Sequence, residues 1–184
     1  MHIPAIRSLF MALAVVLSAA ISAPAAADSK ADLERTSRAA LNKLVAKVPA
    51  AKALNGTAVA VLVFPSITEA GFVVGGQYGE GVLWRGGKAV GYYSTTGASY
   101  GLQAGAQKYG YAMFLMNENA LNALTTAEGF EVGIGPSVVL VDEGMAKSVT
   151  TTTAQNDIYA FIFGQTGLMA GVGIQGNKIT RINK

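Results

Sequence analysis

The run LVFPSITEAGFVVGGQYGEGVLWRGGKAVGYYSTTGASYGLQAGAQ, from Leu62 to Gln107, sets glycines among aromatic and β-branched residues at short, strand-like intervals. No Gly-x-x-x-x-Gly-Lys-Ser/Thr occurs in it, so its glycines do not read as a phosphate-cradling loop. They read as turns and close backbone approaches in a sheet. Thr57 to Phe64, Gly71 to Gln77, Gly81 to Trp84, Ala89 to Thr95 and Tyr100 to Gln107 are the expected strands, with glycine-rich breaks between them. Arg85-Gly86-Gly87-Lys88 is the clearest hairpin turn.

The chain before this run has a different composition. Asp28 to Lys52 is rich in Ala, Leu and charge, and Leu33, Ala40, Leu41, Leu44, Val45 and Val48 fall on one helical face. Ser29 or Asp32 can start this amphipathic helix, and Pro49 and Gly56 mark its end. After the run, Asn117 to Leu124 reads as a short helix capped by Asn117. Strands are expected again at Glu131 to Ile134, Ser137 to Val141, Lys147 to Thr153, Asp157 to Phe163, Leu168 to Ile174 and Lys178 to Ile182. The expected fold is α+β: an N-terminal amphipathic helix on a largely antiparallel, strongly twisted or barrel-like sheet, with one further short helix. Ile158 to Asn177 is uncharged and approaches the length of a membrane helix, but Gly164, Gln165, Thr166 and Gly167 in its middle favour a turn between two buried strands. An eight-stranded outer-membrane barrel is the rival; it would need apolar and polar faces to alternate more strictly than these runs do.

Residues 1–27 read as a signal peptide. Arg7 gives the positive start, Leu9 to Ala20 the apolar stretch and Ala25-Ala26-Ala27 the small-residue cleavage site. Export to the periplasm or the outer envelope is the expectation, leaving a single domain over 28–184. Without Arg7, 13 Lys and Arg stand against 11 Asp and Glu, a formal charge of +2. So mild a balance does not suit a nucleic-acid partner. With no cysteine in the chain, a lipid anchor on a mature N-terminal Cys and a disulfide are both excluded.

An inventory of residue types narrows the chemistry. Gly97-Ala98-Ser99-Tyr100-Gly101 fits the Gly-x-Ser-x-Gly of a nucleophile elbow. A serine nucleophile needs a base, and the one histidine, His2, lies in the leader. Gly171-Val172-Gly173-Ile174-Gln175-Gly176 matches a dinucleotide fingerprint by letter, but no acid follows it. Asp142-Glu143-Gly144 reads as a turn rather than a calcium loop. No catalytic residue, metal ligand or cofactor is assigned, and the chain is not expected to be an enzyme.

A binding surface remains. Arg35, Arg38, Lys43, Lys47 and Lys52 follow one another with no acid among them, which suits anionic headgroups; a solvated helix face would carry the same bases. Trp84 beside Arg85 and Lys88 at the hairpin tip is a second candidate, the indole inserting while the two bases meet phosphate.

Together with VGIGPSVVLVDEGMAKSVTTTT (Val132 to Thr153) and YAFIFGQTGLMAGVGIQGNKIT (Tyr159 to Thr180), the glycine-rich run resembles the SYLF domain family. The resemblance implies a helix on a β-rich body and a non-catalytic module of the bacterial envelope that binds phospholipid or a membrane surface. A protein-interaction or structural module of the periplasm is the alternative. Eukaryotic members carry basic residues just before a Gly-Leu-Phe-Ala-Gly block; here the block is Gly167-Leu168-Met169-Ala170-Gly171, and Gly164, Gln165 and Thr166 before it are neutral. The resemblance therefore does not extend to phosphoinositide, and actin is not the expected partner of an exported protein.

Overall fold

A computed structural model describes residues 29–126, 129–141, 154–167 and 176–184. The expected leader at 1–27 with its start at Asp28, the strands expected at Lys147 to Thr153 and Leu168 to Ile174, the turn at Asp142-Glu143-Gly144, and most of both the Gly167–Gly171 block and the Gly171–Gly176 run lie outside these residues.

Helix α1 (Lys30–Lys47) starts at Ser29, whose hydroxyl accepts the Asp32 N–H at 3.2 Å. Asp32 in its first turn and Lys47 in its last complement the helix dipole. Val48 breaks it in an extended conformation, and Pro49 opens a second helix, α2 (Pro49–Asn55). The one expected helix is thus two, because Pro49 lacks the N–H that would continue the first.

Strands β1 (Ala60–Arg85) and β2 (Lys88–Leu115) form one long antiparallel hairpin. Its tip is the expected turn, with Gly86 and Gly87 at φ of 55° and 75°, the two positive values that a type I′ turn demands. The other glycine breaks expected from the sequence are not turns: both strands run through them. Three register shifts, between Phe64 and Ile67, Phe72 and Val73, and Leu83 and Trp84, bend the hairpin instead. Close approach explains two of the glycines. A β-carbon on Gly79 would lie 2.6 Å from Ile67 Cγ1, and one on Gly81 2.7 Å from the Phe64 ring. The strand therefore curls across itself at these two points.

Helix α3 (Glu118–Thr126) begins as expected, with Asn117 Oδ1 accepting the Ala120 N–H at 2.9 Å. The remaining strands are β3 (Phe130–Glu131), β4 (Val138–Leu140), β5 (Ile158–Gly167) and β6 (Lys178–Ile182). The Glu131–Ile134 run pairs over fewer residues than expected, because the chain turns at Val132. Strand order is β3-β6-β2-β5-β4, with β1 on the other edge of β2. β6 pairs with β2 over residues 92–96 and β5 with it over residues 107–115; β4 on β5 is the parallel pair. The sheet is mostly antiparallel and strongly curled, and the fold is α+β as expected.

Two cores lie on opposite faces of this sheet. Ala60, Leu62, Phe64, Tyr109, Tyr111, Met113 and Leu115 meet α3 and Ile179 inside the curl. Val61, Val63, Val82, Trp84, Ala112, Phe114 and Phe161 meet α1 and α2 outside it. The period-two alternation of β1 and β2 is what sorts side chains between them. Among the described residues, no helix is long and apolar enough to cross a membrane.

Candidate functional site

At one level of the sheet, β2 is flanked by irregularities on both edges. On β1, Phe64 pairs with Tyr111 and Ile67 with Tyr109, so Pro65 and Ser66 together stand opposite Gly110. On β5, Thr166 pairs with Lys108 and Phe163 with Gly110, so Gly164 and Gln165 stand opposite Tyr109. Gly164 has φ of 65°, the left-handed first residue of a glycine bulge. Proline in a strand is tolerated at such a place, where no ladder N–H is needed. Two bulges at one level push both neighbours of β2 out of line.

The C-terminal half of α1 passes over this dent, and the space between is a half-open groove of about 610 Å³. Ala39, Ala40, Leu44 and Val48 line it from the helix side, Pro65 and Ser66 from β1, Lys108 to Gly110 from β2, and Phe163, Gly164 and Thr166 from β5. A β-carbon at Gly110 would run into the Phe163 ring, so the glycine is what lets that ring lie across β2. Lys43, Lys47 and Lys108, all exposed, also line the groove, and no acidic side chain does. Among the described residues none of the three is in an ion pair. The groove is apolar within and positive around it, without a nucleophile–base pair or a cluster of metal ligands among its lining residues.

The eight residues singled out in the sequence do not form one site. Lys43 and Lys47 reach the groove. Arg35 sits 3.2 Å from Asp32 at the start of α1, with both side chains mostly exposed. Lys52 is exposed on α2. The hairpin-tip expectation is corrected for Trp84: the indole is only 7% exposed, and its Nε1 donates to Ser37 Oγ at 2.9 Å. The Arg38 guanidinium lies 4.0 Å from the centre of that ring and donates to Gly87 O at 2.6 Å. Trp84 faces inward because it alternates with Leu83 along β1 and so shares the α1 face with Val82. Arg85 pairs with Glu118 at 2.5 Å, and Lys88 is exposed beside the turn.

Lys108 is the site residue that the sequence reading missed. It is the one charged side chain between Lys88 and Glu118, and that isolation was the available signal. Ser99 lies within β2 opposite Gly75, so the Gly-x-Ser-x-Gly stretch is extended strand and not the tight strand-to-helix turn a nucleophile elbow requires. Two carboxylates of the hairpin are engaged elsewhere. Glu69 accepts from Gln107 at 2.8 Å, and Glu80 accepts from Lys184 at 2.6 Å.

Residues 96–184 match the Ysc84 family model, described as Las17-binding protein actin regulator. No curated protein matches the chain. The matched stretch supplies the β2 and β5 walls of the groove, while α1 and the Pro65-Ser66 bulge lie before it. By its description the family is one of binding proteins.

Proposed function

We propose that this chain, whose residues 96–184 belong to the Ysc84 (SYLF) family, is a non-catalytic lipid-binding module of the bacterial cell envelope. Phospholipid, presented at a membrane surface, is its ligand, and residues 1–27 direct it to the periplasm or the outer envelope. The observation that carries this reading is an apolar groove with Lys43, Lys47 and Lys108 around it and no acid in its lining. Apolar contact and attraction to anionic headgroups are the two terms by which peripheral modules hold to membranes. Gly164, Gln165 and Thr166, neutral where eukaryotic members are basic, sit at this groove or beside it, and Lys108, paired with Thr166 across the ladder, supplies charge at that level.

Co-sedimentation with vesicles tests the reading. Binding to phosphatidylglycerol vesicles at low salt, weakened by added salt and by replacing the three lysines with glutamine, is the expected result. An absence of binding to both anionic and zwitterionic vesicles would overturn it.

A protein partner in the envelope is the second reading, favoured by the words of the family description. Capture of one defined partner, undiminished by added lipid and by the lysine replacements, would favour it over lipid.

A further inference from the structure

We infer that the groove between α1 and the paired bulges takes one acyl chain bearing an anionic head, as a single molecule rather than as a patch of bilayer. The inference deepens the lipid reading above and rests on it for the class of ligand.

Size, shape and charge each limit the occupant. A groove of about 610 Å³ falls within the range of small-molecule pockets. A methylene takes about the volume of a water molecule, ~30 Å³, so a sixteen-carbon tail needs roughly 500 Å³. One tail fills the groove; the second tail of a phospholipid has no place in it. The floor and the helix wall suit a tail, since Ala40, Leu44, Val48, Pro65 and Phe163 offer carbon alone from their side chains. The helix wall stays open because Ala39 and Ala40 present only methyl groups where a larger side chain would reach across.

The head is fixed by charge. Lys43 and Lys47 stand one turn apart on α1, and Lys108 reaches in from β2. Their convergence on one groove, with no acidic side chain lining it and no ion pair to any of them among the described residues, leaves an anion as the complement. A carboxylate and a phosphate satisfy that requirement equally. The ligand chemistry is therefore shared by a free fatty acid and by a lysophospholipid with an anionic head.

Isothermal titration with monomeric amphiphiles, each held below its micelle concentration, tests the inference on the full chain. Palmitate and lysophosphatidylglycerol are the anionic probes; lysophosphatidylcholine and dodecyltrimethylammonium carry a zwitterionic and a cationic head. One-to-one binding of an anionic probe is expected, at least about tenfold tighter than of the other two, as loss of one favourable charge contact implies. Palmitate binding without lysophosphatidylglycerol binding identifies the fatty acid as the source, and the reverse identifies the lysolipid. Affinity should rise with tail length by up to about fourfold per methylene, the factor given by full burial of a CH₂.

Two variants bind the result to the groove. Ala39 is exposed, so Ala39→Phe fills the mouth without disturbing the core; it should weaken palmitate binding by about tenfold or more. Lys108→Gln should weaken the anionic probes and leave lysophosphatidylcholine unchanged. Equal affinity for all heads, or probe binding indifferent to Ala39→Phe, overturns the inference. Binding to vesicles without binding of any monomer also overturns it while sparing the membrane-surface reading; monomer binding without vesicle binding does the reverse.

Discussion

The two halves of α1 carry the same kinds of residue and spend them differently. In the first half every described polar contact is made within the protein. Arg35 meets Asp32, Arg38 lies on Trp84 and bonds Gly87, Ser37 bridges the indole and Val63 O, and Glu34 accepts the Tyr92 hydroxyl. In the second half Lys43 and Lys47 have no described ion pair, and they flank open space. A run of helical bases is thus not one feature. Arg38 among its first members holds the helix on the hairpin, whereas Lys43 and Lys47 border open space.

The largest test of this contrast is Trp84→Ala. It removes a buried ring, one of the two hydrogen bonds of Ser37 and the ring face under Arg38, and should cost ~3–5 kcal/mol in urea unfolding. A loss below about 1 kcal/mol would break the comparison, since the first half would then not be held by that contact.

Leucine truncation sharpens it next. Leu33 is fully buried, whereas Leu44, also buried, has the groove beside it. Leu33→Ala should fall in the upper part of the ~2–5 kcal/mol range and Leu44→Ala near its lower end, because the site around Leu44 already borders space that water enters. Equal losses would show that the helix is sealed along its whole length.

Ser37→Ala deletes the acceptor of the indole N–H. Leaving that donor buried and unpaired should cost about 1–3 kcal/mol, measured by the same unfolding. In the other half, Lys43→Gln with Lys47→Gln should change stability by no more than about 0.5 kcal/mol, yet weaken vesicle binding clearly.

Acidification should produce the smallest effect. The Ser29 hydroxyl, and then Arg35, hold the Asp32 carboxyl below the usual aspartate range. A folded-state pKa lower than the unfolded one contributes stability above the unfolded value, and that contribution is lost as pH falls through the folded value. Protection of the amides at the start of α1, relative to their intrinsic exchange rate, should therefore fall on acidification below the ordinary aspartate pKa, and Asp32→Asn should remove that pH dependence. Protection lost first around Lys43 would contradict the assignment.

Local signals were legible in the sequence wherever one residue decides the outcome. Ser29 and Asn117 as caps, Pro49 as a break and Gly86-Gly87 as the tip each act through their own backbone chemistry. The two-sided sheet was legible too, from the unbroken apolar run at Ala60 to Phe64, which leaves neither face polar. Long-range facts were not. Gly79 fell in an expected break, and Gly81 began an expected strand, because the sequence does not say that Ile67 and Phe64 lie against them. Trp84 looked like a tip residue because the bases and glycines of the turn follow it in sequence, whereas the packing of α1 over its face is a long-range contact. Two of the three lysines around the groove were readable as a basic helix; Lys108 was not, since only the packing of α1 across the sheet brings it to the same groove.

The paired bulges have a consequence for the order of folding. The hairpin closes through a two-residue turn and can form from neighbours in the chain, the kind of local contact that forms early. The groove needs the end of α1, Pro65 and Ser66, Lys108 to Gly110, and Phe163 to Thr166 all in place, and so it brings together residues more than a hundred positions apart. Its last wall arrives with β5, after the longest loop closure of any of them. The groove is therefore complete only in the finished chain, and an acyl probe of the proposed kind would report the completion of folding where helical or sheet signals report only its progress.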